Sequence, residues 1–599
     1  MDASRPASPT SSRLGYNRFL LFVSGLGGLL YGVDVGIIAS ALPYLEATSG
    51  FTQAQLSTIV AAVLLGSVIS TLFAGLLADL FGRRTLMALS GLLFVASIPT
   101  IALAHGYNAL VLGRLLQGIS AGFIGVVVPL YLAECLTAAH RGKGTGIFQW
   151  LLTLGIVAAA LIGAYYSFRV DAVSKLGDVQ LLRDFKEQAW RRIFWVSLPP
   201  GVLFVIGSFL VAESPRWLFR RGRQAAAQVA LLRSRSREET ELELREMSET
   251  AAREQSKTST GENRSKDRLL SRRYVIPFLL ACVILACNQA TGVNSIIGYN
   301  TTILLQGGLS DVQAHSGYLI LTLVNFFVTM AGVALVDRKG RKFLLSLGSA
   351  GIIASLIFVA FLFRQTEARR VDCRQGIAVA SDQTASVVYD EKSAARLLAS
   401  AGGDASAASM GPSTLVVIYS YGDFHATTKA MRSDDPAATP VLLTRESCVP
   451  ANRTIAFFGN PFADFGAAQT APLKIEHALI TPAPTSTHGW LTAIGIFIFM
   501  AFFAVGPGVC VWLALSELMP TRIRSNGMSI ALLINQAVST GIAGVFLPTV
   551  GRFGYSTMFF IFAGCTVVYF ATAFFFLPET KGKTLEEIEA HFSRSRAES

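Results

Sequence analysis

The sequence NQATGVNSIIGYN, residues 288–300, decides the fold of this chain because it places polar side chains inside a long apolar run. The run is long enough to cross a membrane, since about 20 apolar residues span the hydrocarbon. Amides at that depth are costly unless they face a protein interior or a watery cavity. Gly292 can interrupt the helix, which is tolerated there only beside a cavity. We therefore predict a helix that lines a polar pathway and binds a neutral, hydroxyl-rich solute.

The composition of the whole chain indicates an integral membrane protein. Of its 599 residues, 52% are hydrophobic and only 15% are charged, whereas about a quarter of the residues of a typical soluble chain are charged. The predicted fold class is an all-α membrane protein with twelve transmembrane helices. The candidate spans are residues 17–41, 54–78, 85–104, 108–132, 145–167, 193–212, 275–304, 316–336, 343–363, 490–515, 526–548 and 555–577.

The distribution of Lys and Arg predicts the orientation in the membrane. The net charge of +12 could suggest a nucleic-acid partner, but the basic residues concentrate in loops on one side, which is a feature of topology. The short loops on the other side, 42–53, 105–107 and 305–315, contain no Lys or Arg. Both termini are therefore predicted on the cytoplasmic side of the plasma (inner) membrane, with lipids and no nucleic acid as partners.

Two polar segments divide the chain. The expected regions are an N-terminal cytoplasmic tail (1–15), a first six-helix bundle (16–212), a cytoplasmic linker with short helices (213–273), a second six-helix bundle (274–577) interrupted by an extracytoplasmic insert (365–488), and a cytoplasmic tail (578–599). Runs such as STLVVIYSY predict a moderately β-rich insert. Cys373 and Cys448 both lie in it, and either a disulfide or two free thiols is expected there.

Three segments of the first half recur in the same order in the second half. GLLADLFGRRT (75–85) pairs with GVALVDRKGRKF (332–343), YLAECLTAAHRGKG (131–144) with WLALSELMPTRIRSNG (512–527), and AESPRWL (212–218) with LPETKGKTL (577–585). Repeated halves are typical of secondary transporters that work by alternating access. The charged members can tie helix ends together in one state and release them in another: Asp79, Arg83, Arg84, Glu134, Arg141, Asp337, Arg341, Glu517 and Arg524.

These motifs resemble the sugar porter branch of the major facilitator superfamily, which includes glucose transporters and bacterial sugar–proton symporters. The matching patterns are GxxxDxxGRR, the E…RGK loop, ESPRWL, Q(x4)N in the seventh span, the Trp before SE in the tenth, and PETKGKTLEEIE. The resemblance implies two pseudo-symmetric six-helix bundles with the substrate between them at the membrane midplane.

Asp34 in the first span is a predicted proton-coupling residue, with Arg114 of the fourth span as its partner. A charge inside a span costs roughly 2.5–3.5 kcal/mol on insertion scales and is a functional hypothesis by default. The resemblance implies that these two positions form the coupling pair of proton-coupled sugar porters. A static pair that holds the bundle together is the alternative. Ser197 replaces the acidic residue that some symporters carry in the sixth span.

The resemblance also implies a set of substrate-binding residues. Neutral amides can both donate to and accept from sugar hydroxyls, and a Trp ring offers an apolar face. Ile156, Gln536 and Ser539 depart from the family pattern, as does Asn288, so the preferred substrate is expected to differ. Hexose is the default, with pentose, polyol and inositol left open. The set is Gln149, Asn288, Gln289, Asn294, Asn325 and Trp512.

The predicted function is transport of a monosaccharide by alternating access, coupled to proton symport. The alternatives are a facilitative sugar or polyol uniporter and a sugar sensor that does not transport. An enzyme is not expected, because the sequence has no P-loop or HExxH motif. The expected partners are a small neutral sugar or polyol and protons, and no cofactor or metal is predicted.

Overall fold

The computed structural model confirms the membrane fold. Within the residues that it describes, twelve helices are long and apolar enough to cross a membrane, as predicted. The described residues are 11–136, 138–259, 272–401, 411–435, 440–450, 452–453, 456, 460, 462–519 and 524–581.

The first half contains six spans. The sixth combines α6 and α7, because the helix is interrupted at Val196 and Ser197 just before two prolines, which fit only the first turn of a new helix. A linker with three short helices, α8 to α10, follows. The helices are α1 (Ser11–Ser49), α2 (Gln53–Phe81), α3 (Arg83–Ala102), α4 (Tyr107–Cys135), α5 (Ala138–Ser174), α6 (Val179–Trp195), α7 (Leu198–Leu210), α8 (Pro215–Arg220), α9 (Gln224–Ser234) and α10 (Arg237–Ser259).

The second half also contains six spans, with the insert between the ninth and the tenth. The seventh span combines α11 and α12, and the tenth runs from α18 into α19. The helices are α11 (Arg272–Ala290), α12 (Val293–Gly298), α13 (Asn300–Gln306), α14 (Asp311–Lys339), α15 (Arg341–Glu367), α18 (Ser486–Val505), α19 (Pro507–Leu518), α20 (Arg524–Phe553) and α21 (Tyr555–Ala571), which ends in a π-helical turn; α16 and α17 belong to the insert.

The insert is a small α/β unit built on antiparallel strands. One sheet has the strand order β1-β7-β3-β4, with β5 also paired to β3, and a second sheet pairs β2 with β6. Its elements are β1 (Val371–Asp372), β2 (Ala385–Val387), α16 (Glu391–Ser400), β3 (Ser413–Tyr421), β4 (Phe424–Thr427), β5 (Met431–Arg432), β6 (Val441–Leu443), α17 (Phe465–Ala468) and β7 (Leu473–Pro482).

The two insert cysteines are free and lie on opposite edges of the larger sheet. Cys373 directly follows β1, whereas the Cys448 thiol donates to the carbonyl of Phe424 at the start of β4. Three strand spacings separate these edges, about 14 Å, but the Cα atoms of a disulfide lie only about 4.4–6.8 Å apart. Of the two alternatives, a disulfide or two free thiols, the structure therefore supports two free thiols.

The start of the sixth span differs from the expected residue 193, since α6 begins at Val179. The segment before residue 193 carries many charges, which are typical of a loop between spans, but in the structure it forms the amphipathic helix α6. Its buried face includes Trp190 and Ile193. Arg191 fixes the helix by donating to the carbonyls of Ala102 and Ala104, both over 2.8 Å.

The interruption predicted at Gly292 is present between α11 and α12. Gly292 has φ +81, in the left-handed region, where residues with a Cβ are strained. An added Cβ would also lie 2.3 Å from the ring of Phe562. The interruption therefore needs glycine for two reasons, and it redirects the chain immediately before Asn294.

Three hydrophobic cores show how the two halves meet. The largest core combines buried residues of both halves, including Ile37 and Leu56 of the first with Ile303 and Phe546 of the second. Two smaller cores each use residues of one half alone. We call the side of the bundle with α8–α10 the linker face and the side with the β-sheets the insert face. Among the described residues, the core shared by both halves lies toward the insert face, and the two cores that belong to single halves lie toward the linker face.

Candidate functional site

A cavity of about 240 Å³ lies between the two halves; we call it the central cavity. Residues from both halves line it, including five of the six predicted substrate-binding residues and the predicted coupling pair. The side chain of the sixth, Trp512, lies outside the described residues, although the neighbouring Val511 lines the cavity. The predicted residues that line it are Asp34, Arg114, Gln149, Asn288, Gln289, Asn294 and Asn325.

Amides of the seventh and eleventh spans form one hydrogen-bonded chain beside the central cavity. Gln289 Nε2 donates to Asn535 Oδ1 over 3.2 Å, and Asn294 Nδ2 donates to Gln289 Oε1 over 2.9 Å. Asn294 Nδ2 also lies 2.7 Å from the Ser539 hydroxyl, and Asn535 Nδ2 donates to the Leu285 carbonyl over 3.0 Å. These bonds fix the orientation of the amides, which leaves their remaining donors and acceptors available to a bound solute.

Asn535 is a site residue that the sequence reasoning missed. It is fully buried and lines the cavity beside Gln536. An amide within the apolar run of the eleventh span was the available signal, because buried amides are rare at membrane depth. Ile156, one of the departures from the family pattern, also lines the cavity. Three of the changed positions, Ile156, Asn288 and Gln536, are therefore part of the cavity wall.

The predicted coupling pair is present as a loose ion pair. Arg114 Nη1 lies 3.6 Å from Asp34 Oδ1 and donates a 2.6 Å hydrogen bond to Gln117 Oε1. Asp34 and Arg114 are only 1% and 2% exposed. Neither carboxyl oxygen of Asp34 has a hydrogen-bond partner among the described residues. Burial favours the neutral acid whereas the guanidinium favours the carboxylate, so the pair can respond to a change in the position of Arg114.

The first and eighth spans join the two halves on the insert side of the cavity. Tyr318 donates to the carbonyl of Gly36 over 2.9 Å, and His315 Nε2 lies 3.2 Å from the carbonyl of Ser40. One further turn toward the insert face, the side chains of Tyr44 and Asp311 are hydrogen-bonded. This series of contacts closes the central cavity toward the insert face.

Charged residues of the first half form a cluster at the linker face. Arg83 binds Asp79 at 2.8 Å and Glu134 at 2.9 Å. Glu213 accepts hydrogen bonds from the backbone N–H groups of Arg83 and Arg84, over 2.9 and 3.1 Å, and so caps the start of α3. A carboxylate is favourable at a helix N-terminus because it satisfies unpaired N–H groups and the helix dipole. Burial raises the pKa of Glu213, and these hydrogen bonds oppose that effect.

The second half repeats this cluster. Arg341 Nη2 lies 2.9 Å from Glu517 Oε1. Glu579 accepts from the backbone N–H groups of Arg341 and Lys342, over 3.0 and 3.2 Å, and caps the start of α15. The hydroxyl of Thr580 donates to Glu517 over 2.5 Å, as that of Ser214 donates to Glu134 in the first half. The segments that are repeated in the sequence therefore form the same hydrogen-bonded arrangement in both halves.

Each cluster stays within its own half. The ion pairs of Arg83 with Asp79 and Glu134 lie within the first half, and the ion pair of Arg341 with Glu517 lies within the second. The side chains of Arg141, Asp337 and Arg524 lie outside the described residues. In this state the central cavity is closed toward the insert face, and the ion pairs described above hold together the helix ends of each half.

The comparisons with known proteins agree with this architecture. A family model described as "Sugar (and other) transporter" matches residues 20–381 and 465–592. The chain is 24% identical over 575 residues to the glucose transporter GlcP of Staphylococcus epidermidis, covering 96% of this chain and 97% of the relative. It is 26% identical to the human proton myo-inositol cotransporter, covering 95% of this chain and 81% of the relative.

A solved structure shares the fold. The inward-open conformation of the xylose transporter XylE from E. coli aligns with a TM-score of 0.62 at 18% identity, covering 95% of this chain and 98% of that protein. At this identity the likeness concerns the fold alone. The family match covers most of both halves. The chain is a multi-pass integral membrane protein of the sugar (and other) transporter family of the major facilitator fold.

Proposed function

We propose that this chain transports a monosaccharide or polyol, hexose by default, by alternating access and in symport with protons. The observation that carries the proposal is the amide chain of Gln289, Asn294 and Asn535 at the wall of a cavity shared by both halves. Amides at membrane depth are costly, and a neutral solute rich in hydroxyls matches their donors and acceptors. A channel would not need charge clusters repeated in both halves.

Proton symport is supported by Asp34 and Arg114. They line the same cavity as the amides, so a solute and a proton would bind in one cavity and be affected by the same conformational change. The names of two relatives, a glucose transporter and a proton myo-inositol cotransporter, fit both parts of the proposal. The basic loops support a cytoplasmic linker face. The cavity would then be closed to the outside in this state.

The proposal is tested by uptake into proteoliposomes. We expect tritiated D-glucose, D-xylose or myo-inositol to accumulate above equilibrium when the outside is more acidic than the inside. Gln289→Leu should reduce uptake about ten- to hundredfold, because it removes sugar contacts and the hydrogen bonds of Gln289 with Asn294 and Asn535. Gln180→Leu, on the exposed surface of α6, is the matched control and should transport normally. Absence of uptake of all three solutes would refute the proposal.

A facilitative uniporter is the second candidate, because the 3.6 Å separation of Asp34 and Arg114 is also compatible with a static pair. Uptake that equilibrates but never exceeds the outside concentration would favour it. Binding without any flux would instead favour a sensor.

A further inference from the structure

A second cavity, of about 80 Å³, lies at the insert face; we call it the outer cavity. Its wall has three sources: the insert-side ends of α1 and α2, the insert-side ends of α13, α15, α20 and α21, and the sheet of the insert. By volume it has room for roughly five to eight waters, which a single monosaccharide could replace. The residues that line it include Glu46, Gln53, Thr302, Phe363, Thr481 and Tyr555.

Two residues that line this cavity, Gln53 and Thr302, each have one buried polar atom without a hydrogen-bond partner among the described residues. Gln53 is 7% exposed and Thr302 is 6% exposed. Gln53 Nε2 donates to Glu46 Oε1 over 3.0 Å, but Gln53 Oε1 has no hydrogen-bond partner among the described residues, and neither has Thr302 Oγ1. A buried acceptor or hydroxyl without a partner costs free energy. Both atoms are therefore suited to a ligand that supplies hydroxyl groups.

The charges around the outer cavity favour a neutral ligand. Arg370 pairs with Glu367 at 3.1 Å, and Glu367 caps the start of α21. Lys429 of the insert donates to the Glu46 carbonyl over 3.4 Å and attracts its carboxylate. Each carboxylate thus has a nearby cation, which leaves no excess charge to attract an ion.

Aromatic rings add a second element of carbohydrate recognition. The rings of Phe363 and Tyr555 stack at 4.9 Å and line the cavity. Aromatic faces pack against apolar C–H surfaces, while amides and hydroxyls bind the polar groups. Thr414 and Thr428 complete the wall from the insert, and both fall in residues 382–464, which the family match leaves out. The wall of the outer cavity therefore includes residues that lie outside the family match.

We propose that the outer cavity is a second binding site for a neutral monosaccharide or polyol, formed between the insert and the closed insert side of the bundle. The proposal rests on the proposed function for its class of ligand. It assigns the insert a role as one wall of a solute site at the outer end of the pathway.

The test measures equilibrium binding of tritiated D-glucose, D-xylose and myo-inositol to the purified full chain in nanodiscs. We expect two equivalents of at least one solute in the wild type and one equivalent in Gln289→Leu, which disables the central cavity. In that background, Thr302→Val should weaken the remaining equivalent about three- to tenfold, because one hydrogen bond is lost. Thr481→Val, on the insert wall, should weaken it as well.

The matched control is Thr301→Val in the same background. Thr301 is also fully buried and its hydroxyl is also without a partner among the described residues, but it does not line the outer cavity. Its replacement should leave binding unchanged. Equal effects of Thr301→Val and Thr302→Val would overturn the proposal.

Two further outcomes separate the proposals. If the wild type transports solute but binds only one equivalent of it, and Gln289→Leu binds none, the outer site is refuted and the transport proposal stands. The outer cavity would then hold water only. Absence of both binding and uptake for all three solutes would refute both proposals.

Discussion

The hydroxyl of Tyr44 on the first span donates a 2.8 Å hydrogen bond to Asp311 Oδ2 at the start of the eighth, and so joins the two halves at the insert face. The Tyr44 ring also stacks on His315, with centroids 5.3 Å apart. We predict that Tyr44→Phe shifts the protein toward opening at this face. Loss of a hydrogen bond to a charged group costs about 1.5–3 kcal/mol, a ten- to hundredfold shift.

The shift can be measured as the distance between spin labels at His105 and Thr487 in a cysteine-free background. Both positions are exposed at the insert face, one in each half. Tyr107→Phe is the control, because the Tyr107 ring packs against Phe51 within the first half. Identical distance distributions for the wild type and Tyr44→Phe would show that this bond does not hold the face closed.

Asp34→Asn should abolish uptake driven by a pH gradient while leaving exchange of solute between the two sides of the membrane. An amide keeps the shape of the carboxyl but cannot ionise, so the pair with Arg114 loses its charge change. Uphill uptake and counterflow in proteoliposomes measure the two activities separately. Asp171→Asn, which removes only the exposed pair with Lys175, should leave both unchanged. Uphill uptake that survives Asp34→Asn would exclude the coupling role.

Gly82→Ala should destabilise the fold more than Gly222→Ala. Gly82 has φ +96 and ψ 159, a region that costs about 1–3 kcal/mol for other residues. An added Cβ would lie 2.3 Å from Glu213 Oε2 and disturb the cap of α3. Gly222 has φ +74 but open space around it. Thermal unfolding in detergent should therefore give a lower Tm for Gly82→Ala, and equal values would argue against the cap.

The insert should lose stability in acid through Asp372. Although burial raises the pKa of Asp372, its hydrogen bonds with His477, the Ala478 N–H and Arg374 outweigh burial and lower it. The contribution is therefore present above the ordinary aspartate pKa of about 4, and is lost as the pH falls through the lowered value. The protection of the β1–β7 pair from hydrogen exchange, relative to the intrinsic exchange rate at each pH, should fall below about pH 4, and Asp372→Asn should remove this pH dependence.

Cys373 and Cys448 should remain free thiols even under oxidising conditions, because the sheet holds them on opposite edges. Burial raises the pKa of Cys373 to about 11 and that of Cys448 to about 12. Both thiols are therefore protonated near neutral pH and should react slowly with iodoacetamide. Thiol titration should give the same count before and after reduction of the unfolded protein. A disulfide-linked peptide found by mass spectrometry would contradict the strand order.

The parts of this protein that could be predicted are those with a strong local signal. Apolar runs separated by basic loops predict the twelve spans, and Gln289 and Asp34 stand out because polar groups are costly at membrane depth. The amide of Asn535 is visible in the apolar run of the eleventh span, but the rotation of α20 that turns it toward Gln289 is not, and Asn535 was therefore missed. The start of α6 was missed because its charges obscured an amphipathic helix.

Contacts between distant segments that carry no family motif could not be predicted. The bond between Tyr44 and Asp311 joins residues 267 positions apart, and the contact of Lys429 with Glu46 joins the insert to the first span across 383 positions. Hydropathy and motifs describe neighbours along the chain, whereas such contacts depend on how complete elements pack. The outer cavity is made of contacts of this kind.

The insert leaves and re-enters the bundle on adjacent strands. Val371 of β1 pairs with Ile480 of β7 in an antiparallel ladder, so the two Cα atoms lie about 4.5–5.5 Å apart. A two-residue hairpin can bridge such a pair. Excision of residues 372–479 therefore requires no rearrangement of the twelve helices, and the excised unit has its own buried core, which includes Leu415 and Tyr419. The insert is therefore an independent structural unit, and it could be transferred into a related transporter that has a short loop at this point.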